Sequence, residues 1–298
     1  MLLYNADDLI LEVLMRILPL LFCLFPTFAL AGPLQIVTDI PPVHSLVSQV
    51  IGDRGDVTVL LDPNADPHHF QLRPSQSREI ARADALIWIG EDLTPWLARA
   101  KDGIAADLPS LTFFESDEDA IDDHGAHEGD LHIWLSTQDA SDMIAAITER
   151  LNVLDPDGAD LYTANAEIAL NDLTQLFEAI TETLSSLSGI PFVVGHDGYS
   201  HFVAQFGLTQ VGSLSDAHDS PASAKHVSKL TRLAAAGDIT CVFPEVGESD
   251  KLASVLADKG ARMGAALDPV GVTLELGPDL HKNLLLQLAN DMRSCLSP

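Results

Sequence analysis

The chain has 298 residues, 47% hydrophobic and 20% charged, enough for about two cores and too apolar for a disordered protein. Its 16 basic and 44 acidic residues leave a net charge of −28. Such a surface repels nucleic-acid phosphates and anionic lipid heads, so neither is an expected partner; it keeps the chain soluble and attracts cations.

The first feature in chain order is "MRILPLLFCLFPTFALA", Met15 to Ala31, with one arginine, an apolar run and the small-x-small end Ala29-Leu30-Ala31. It predicts a signal peptide over residues 1–31 and cleavage after Ala31. The run is shorter than the about 20 residues of a bilayer-spanning helix, so the mature chain is expected in the periplasm and not embedded in the membrane. The acidic stretch before it does not suit a signal, which makes Met15 the expected start. A buried N-terminal helix is the alternative, but the run has no polar face.

Beyond the signal, "LQIVTDI", "DVTVLL", "ALIWIG" and "LPSLTFF" predict buried strands, with helical patterns such as "VHSLVSQVIG" and "TPWLARAKDGI" between them. The alternation resumes with "PFVVG", "TQVGSL", "ITCVFPEV" and "ARMGAAL", and with the helical stretches "YSHFVAQFGL", "SAKHVSKLTRLAAAG", "SDKLASVLADKG" and "LHKNLLLQLANDMRSCL". Between the halves, Leu173, Phe177, Ile180, Leu184 and Leu187 recur at helical spacing without a proline, and Gly189 stands where the helix should end. The predicted fold is α/β: two lobes with mainly parallel sheets, residues 32–156 and 189–298, joined by one long rigid helix over 157–188. No internal sequence repeat is evident.

Ligands of open parallel sheets bind beyond the carboxyl ends of the strands. His68 follows "DVTVLL", His132 begins "HIWLS", and His196 follows "PFVVG". From three separate loops they are able to converge between the lobes, although spacing alone does not establish it and a lone histidine is more often packed or exposed. Cys23 leaves with the signal. Cys241 and Cys295 remain, as a disulfide closing a loop of about 55 residues or as two buried thiols.

Together, "DPHHFQLRPS", "LHIWLS", "VVGHDGYSHFVAQFGL", "CVFPEV" and "LDPVG" resemble the metal-binding periplasmic solute-binding proteins of ABC importers, and among them the zinc members. The resemblance runs through nearly the whole mature chain. It implies two α/β lobes joined by a long helix, Zn2+ as the transported ligand, a monomer, and an inner-membrane ABC permease as partner. It implies His68, His132 and His196 as ligands: His68 stands two residues before Phe70 and six before Pro74, as the family's ligand histidine does. His69 is then a neighbour. It also implies a Cys241–Cys295 disulfide.

The chain departs from the pattern at Pro67, where some zinc members have a glutamate. That leaves Asp268, which lies where manganese members place an aspartate, as the expected fourth ligand, with Asp66 or a water as the alternatives. Glu245 is a candidate for orienting an imidazole, or for a surface ion pair. The run Glu115–Asp130 has eight carboxylates and two histidines, His124 and His127; it resembles a short form of the acidic histidine loop of zinc members, an accessory metal loop or simply a solvated segment. His44, His201, His218, His226 and His281 have no ligand context. The alternatives in function are a manganese-binding relative, an acidic metal buffer, and a zinc-dependent hydrolase. No HExxH, GxSxG, P-loop or cysteine ligand cluster supports the last, and an enzyme is not expected.

Overall fold

The computed structural model describes residues 32–114, 129–215 and 223–297, and the expected signal segment lies outside them. In the first half, strands β1 (Leu34–Thr38), β2 (Gly55–Val59), β3 (Ala85–Trp88) and β4 (Ser110–Thr112) pair in the order β2-β1-β3-β4, all parallel. The second half takes the same order with β5 (Pro191–Val194), β6 (Thr209–Ser213), β7 (Cys241–Phe243) and β8 (Arg262–Met263), arranged β6-β5-β7-β8. The topology repeats without a sequence repeat, because it needs only buried apolar runs separated by crossovers.

Parallel neighbours cannot be joined by tight turns, so each connection carries a helix. In the first half these are α1 (Pro41–Ile51), α2 (Pro74–Arg82) and α3 (Pro95–Ile104), each opened by a proline in its first turn, where a missing N–H costs nothing. After the first sheet come α4 (Thr137–Leu154), begun by Ser136, whose side chain accepts the Asp139 N–H, and α5 (Ala159–Leu184). The second sheet uses α6 (Ser200–Gln205), α7 (Ala224–Ala236) and α8 (Lys251–Ala257), and α9 (Leu280–Leu296) closes the chain.

The joining helix α5 has 26 residues, about 39 Å at 1.5 Å per residue. It packs on α4, α1 and α9 through one buried stripe, Tyr162, Ala166, Ala169, Leu173, Leu176, Ile180 and Leu184. It is shorter than the predicted stretch: the turn Pro156–Gly158 precedes it, and Gly189 (φ +76°) lies in the turn after its end. Phe177 was expected on its buried stripe but is 39% exposed, and Leu176 is buried instead. The covering helices lie on the Leu176 flank, whereas the Phe177 ring stacks on Phe206 at 5.7 Å.

Two helices fall outside the predicted set. α2 is mostly polar and buries only Gln76 and Ile80, so it has almost no apolar period to read. α4 does carry one, in Ala140, Met143, Ile144, Ile147 and Leu151.

One core runs through both halves: Phe192, Val194, Cys241 and Phe243 of the second sheet join Ile36, Leu86 and Trp134 of the first half. The alternate residues Val193 and Val242 enter a separate core with Leu230 and Leu256, as the two-residue period of a strand requires. Cys241 and Cys295 form a disulfide, their Cα atoms 6.3 Å apart, which pins α9 to β7. Among the described residues no helix is long and apolar enough to cross a membrane.

Candidate metal centre

All strands of a parallel sheet end on the same side, so loops that are distant in sequence gather there. His68 lies beyond β2, His132 beyond β4, His196 beyond β5 and Glu245 beyond β7. The ligand atoms of His68, His132 and His196 all lie within 4.8 Å of one another. Ring centroids are 4.7 Å apart for His132–His196, 5.8 Å for His68–His196 and 6.0 Å for His68–His132. His132 and His196 are buried, His68 half-buried, and His69 exposed outside the group.

The His68 loop is held from several sides. The Asp66 carboxylate accepts the His68 N–H at 2.8 Å, and the Trp96 indole N–H donates to the Pro67 carbonyl at 2.7 Å. Phe70 stands edge-on to Trp96, and Pro74 starts α2, so the residues that flank His68 in the motif build its support. The buried Gln76 donates to the Leu60 carbonyl at 2.6 Å, and Arg73 pairs with Asp62.

His132 is set by Asp130. One carboxylate oxygen accepts the His132 backbone N–H at 3.0 Å and lies 2.8 Å from its Nδ1. A carboxylate only accepts, so Nδ1 carries the proton and Nε2 keeps its lone pair for a metal. Burial lowers the His132 pKa, although Asp130 pulls the other way, which keeps the ring neutral as coordination requires. Burial alone would raise the Asp130 carboxyl, but hydrogen bonds from His132 and Ser200 outweigh it and hold it well below the usual range.

His196 has Glu245 beside it, with Nδ1 to Oε2 at 3.5 Å. Tyr199 donates its hydroxyl to the same oxygen at 3.2 Å, and burial together with Glu245 keeps that phenol protonated. Gly198 touches both inner imidazoles: a Cβ there would lie 2.6 Å from His196 Cε1 and 2.7 Å from His132 Cε1.

Asp268 lines the same cavity but is outside the three-histidine group. It is buried, and its oxygens accept the N–H groups of Gly271, Val272 and Thr273 and the Thr273 hydroxyl. Those four donors make it the anchor of its own turn. Asp66 also lines the cavity, engaged with the His68 N–H. His124 and His127, and most of their acidic run, lie outside the described residues, as does His218. His44, His226 and His281 donate from Nε2 to the carbonyls of Val57, Ser213 and Trp134, and so hold the fold.

Asp130 and Gly198 were not singled out from sequence. Asp130 had a signal: an aspartate stands two residues before a histidine in both Asp66-Pro67-His68 and Asp130-Leu131-His132, and each accepts that histidine's backbone N–H. Gly198 had none, because its packing depends on two rings from different halves.

The cavity at the histidines measures about 100 Å³. Sites for drug-sized organic ligands run to roughly 300–1,000 Å³. The space suits an ion and its remaining water. The architecture is that of a two-lobe solute-binding protein with a ligand small enough for a few side chains to enclose.

The chain belongs to the family described as zinc-uptake complex component A, periplasmic, which matches residues 36–290. It is 34% identical to the high-affinity zinc uptake system protein ZnuA of Paracoccus denitrificans, over 88% of this chain and 91% of that one. To ZnuA of Brucella suis it is 28% identical, over 90% and 94% of the two chains. Its fold is similar to that of a zinc-bound ZnuA deletion mutant in the crystal, with a TM-score of 0.76, 26% identity, and coverage of 90% and 99%. The periplasmic zinc-binding protein TroA of Treponema pallidum shares the fold at a TM-score of 0.76 and 17% identity, covering 90% of this chain and all of that one.

Proposed function

We propose that this chain captures Zn2+ in the periplasm with His68, His132 and His196 and delivers it, as a monomer, to the permease of an ABC importer. The observation that carries this reading is the convergence of three imidazoles within 4.8 Å, one of them fixed in its tautomer by its own carboxylate. Imidazole nitrogen suits zinc, which accepts four ligands without a geometric preference of its own. A water molecule completes the shell, since Asp268 is engaged with its turn. The names of the relatives, zinc uptake proteins, support the same choice.

No covalent bond of a substrate is made or broken. The work is binding and release, and the carboxylates of Asp66, Glu245 and Glu248 around the cavity draw cations toward it. The test is metal analysis of the chain purified without chelator, followed by competitive titration with zinc and manganese. One tight zinc equivalent that is lost in His132→Ala is expected. A chain that holds no zinc, or turnover of ester, peptide or phosphate substrates by the zinc-loaded chain, would overturn the reading.

A further inference from the structure

Helix α6 belongs to the second half and begins four residues after His196, yet three of its six residues bond to the loop that holds His132 or to the first turn of α4 after it. Ser200 gives its backbone N–H, at 2.9 Å, and its hydroxyl to Asp130 Oδ2. The His201 ring lies between the Asp139 carboxylate, 2.9 Å from Nδ1, and the Asp130 carbonyl, 3.0 Å from Nε2. The Gln205 amide pairs with Thr137, accepting its N–H at 2.9 Å and donating to its hydroxyl at 3.0 Å. Asp130 stands at the centre of this seam, since its other oxygen holds both the backbone and the ring of His132.

We propose that Asp130 is a positioning residue that couples the two halves of the chain at the metal centre. One carboxylate oxygen aims His132, and the other fixes the start of α6 and with it the turn His196–Gly198. His132 and His196 therefore stand as a preset pair, and the metal does not have to bring them together. The inference rests on the zinc-binding reading above and adds what sets the geometry of two of the three ligands.

Both oxygens are needed. Each already accepts two donors, so an amide in place of the carboxylate would set its NH2 against at least one backbone N–H whichever way it turned. Removing the Ser200 hydroxyl leaves the backbone donor and so loosens the link without breaking it.

The test uses the full mature chain in four forms: unmodified, Asp130→Asn, Ser200→Ala and the double variant. Zinc affinity is read by chelator competition, and ligand geometry by the visible absorption of the Co2+-loaded protein. Asp130→Asn should weaken zinc about ten- to hundred-fold, the range for partners that orient metal-bound histidines. Ser200→Ala should weaken it a few-fold, and both should alter the Co2+ spectrum while the metal-free fold persists. Because Ser200 acts through Asp130, the double variant should bind no worse than Asp130→Asn. Affinity and spectrum unchanged in Asp130→Asn, or a Ser200→Ala effect that persists in full when Asp130 is already replaced, would overturn the coupling. If Asp130→Asn does not fold, an unchanged Ser200→Ala spectrum overturns it instead and an altered one supports it. An unmodified chain that fails to bind zinc would count against the functional reading rather than the coupling.

Discussion

His132 and His196 come from opposite halves of the chain, yet their rings lie 4.7 Å apart, and Gly198 packs against both. A methyl group at residue 198 would press on both rings. Gly198→Ala is therefore expected to weaken zinc by about ten- to hundred-fold, as disturbing a group that orients metal ligands does. Chelator competition on protein whose circular dichroism is unchanged measures it, and equal affinity would mean that the turn yields freely.

Zinc and protons compete for the same imidazole nitrogens. His132 is held neutral by burial, so its protonation begins below the ordinary histidine range near about 6.5. Zinc affinity should change little from pH 7.5 to 6.5 on account of this residue and fall toward pH 5. Titrations at the three pH values check it, and affinity that rises as the pH falls would contradict a histidine site.

Two buried groups away from the three histidines should give stability opposite pH slopes. Burial lowers the pKa of His281 to about 4, so the unfolded chain takes up a proton there that the folded one refuses. Its effect is to reduce stability as pH falls from 6.5 to 4. Asp39 is fully buried and pushed up to about 7 despite the N–H groups of Ile40 and Ile89, so its contribution is present in acid and lost as pH rises from 3.8 to 7. Relative to the unmodified chain, the Tm of His281→Gln should improve as pH falls through this window, and that of Asp39→Asn should improve as pH rises. Differences that do not vary with pH would contradict both assignments.

The Cys241–Cys295 disulfide closes a loop with a sequence separation of 54. The chain-entropy model assigns such a loop about 4 kcal/mol, or roughly 10 °C in Tm for a chain of this size. Calorimetry of the double serine variant measures it. Zinc affinity in that variant should hold at temperatures where it stays folded, because the bond joins α9 to β7 and not the ligand loops.

Metal choice follows from ligand type. Replacing an imidazole by a carboxylate makes the site harder, so His196→Glu should weaken zinc more than manganese and narrow the gap between them. Competitive titration of both metals against both proteins reads this directly. A wider gap, or manganese preferred by the unmodified chain, would reject the zinc assignment.

The sequence by itself determined much of this protein. Buried runs such as Ala85–Trp88 and Phe192–Val194 read as inner parallel strands because they are short, wholly apolar and bounded by turns, and a period of 3.6 residues marks the joining helix. His68, His132 and His196 were legible as candidates by their places after strands and by the motifs around them, and they converge. What tertiary structure decided was which groups meet. It turned Leu176 inward rather than Phe177, since the covering helices lie on that flank. It gave both oxygens of Asp268 to the turn Gly271–Thr273, leaving them to donors a linear pattern does not reveal. It placed Asp130 between His132 and Ser200, and Gly198 beneath two imidazoles. Those roles depend on distances across the two halves of the chain, and only packing sets such distances.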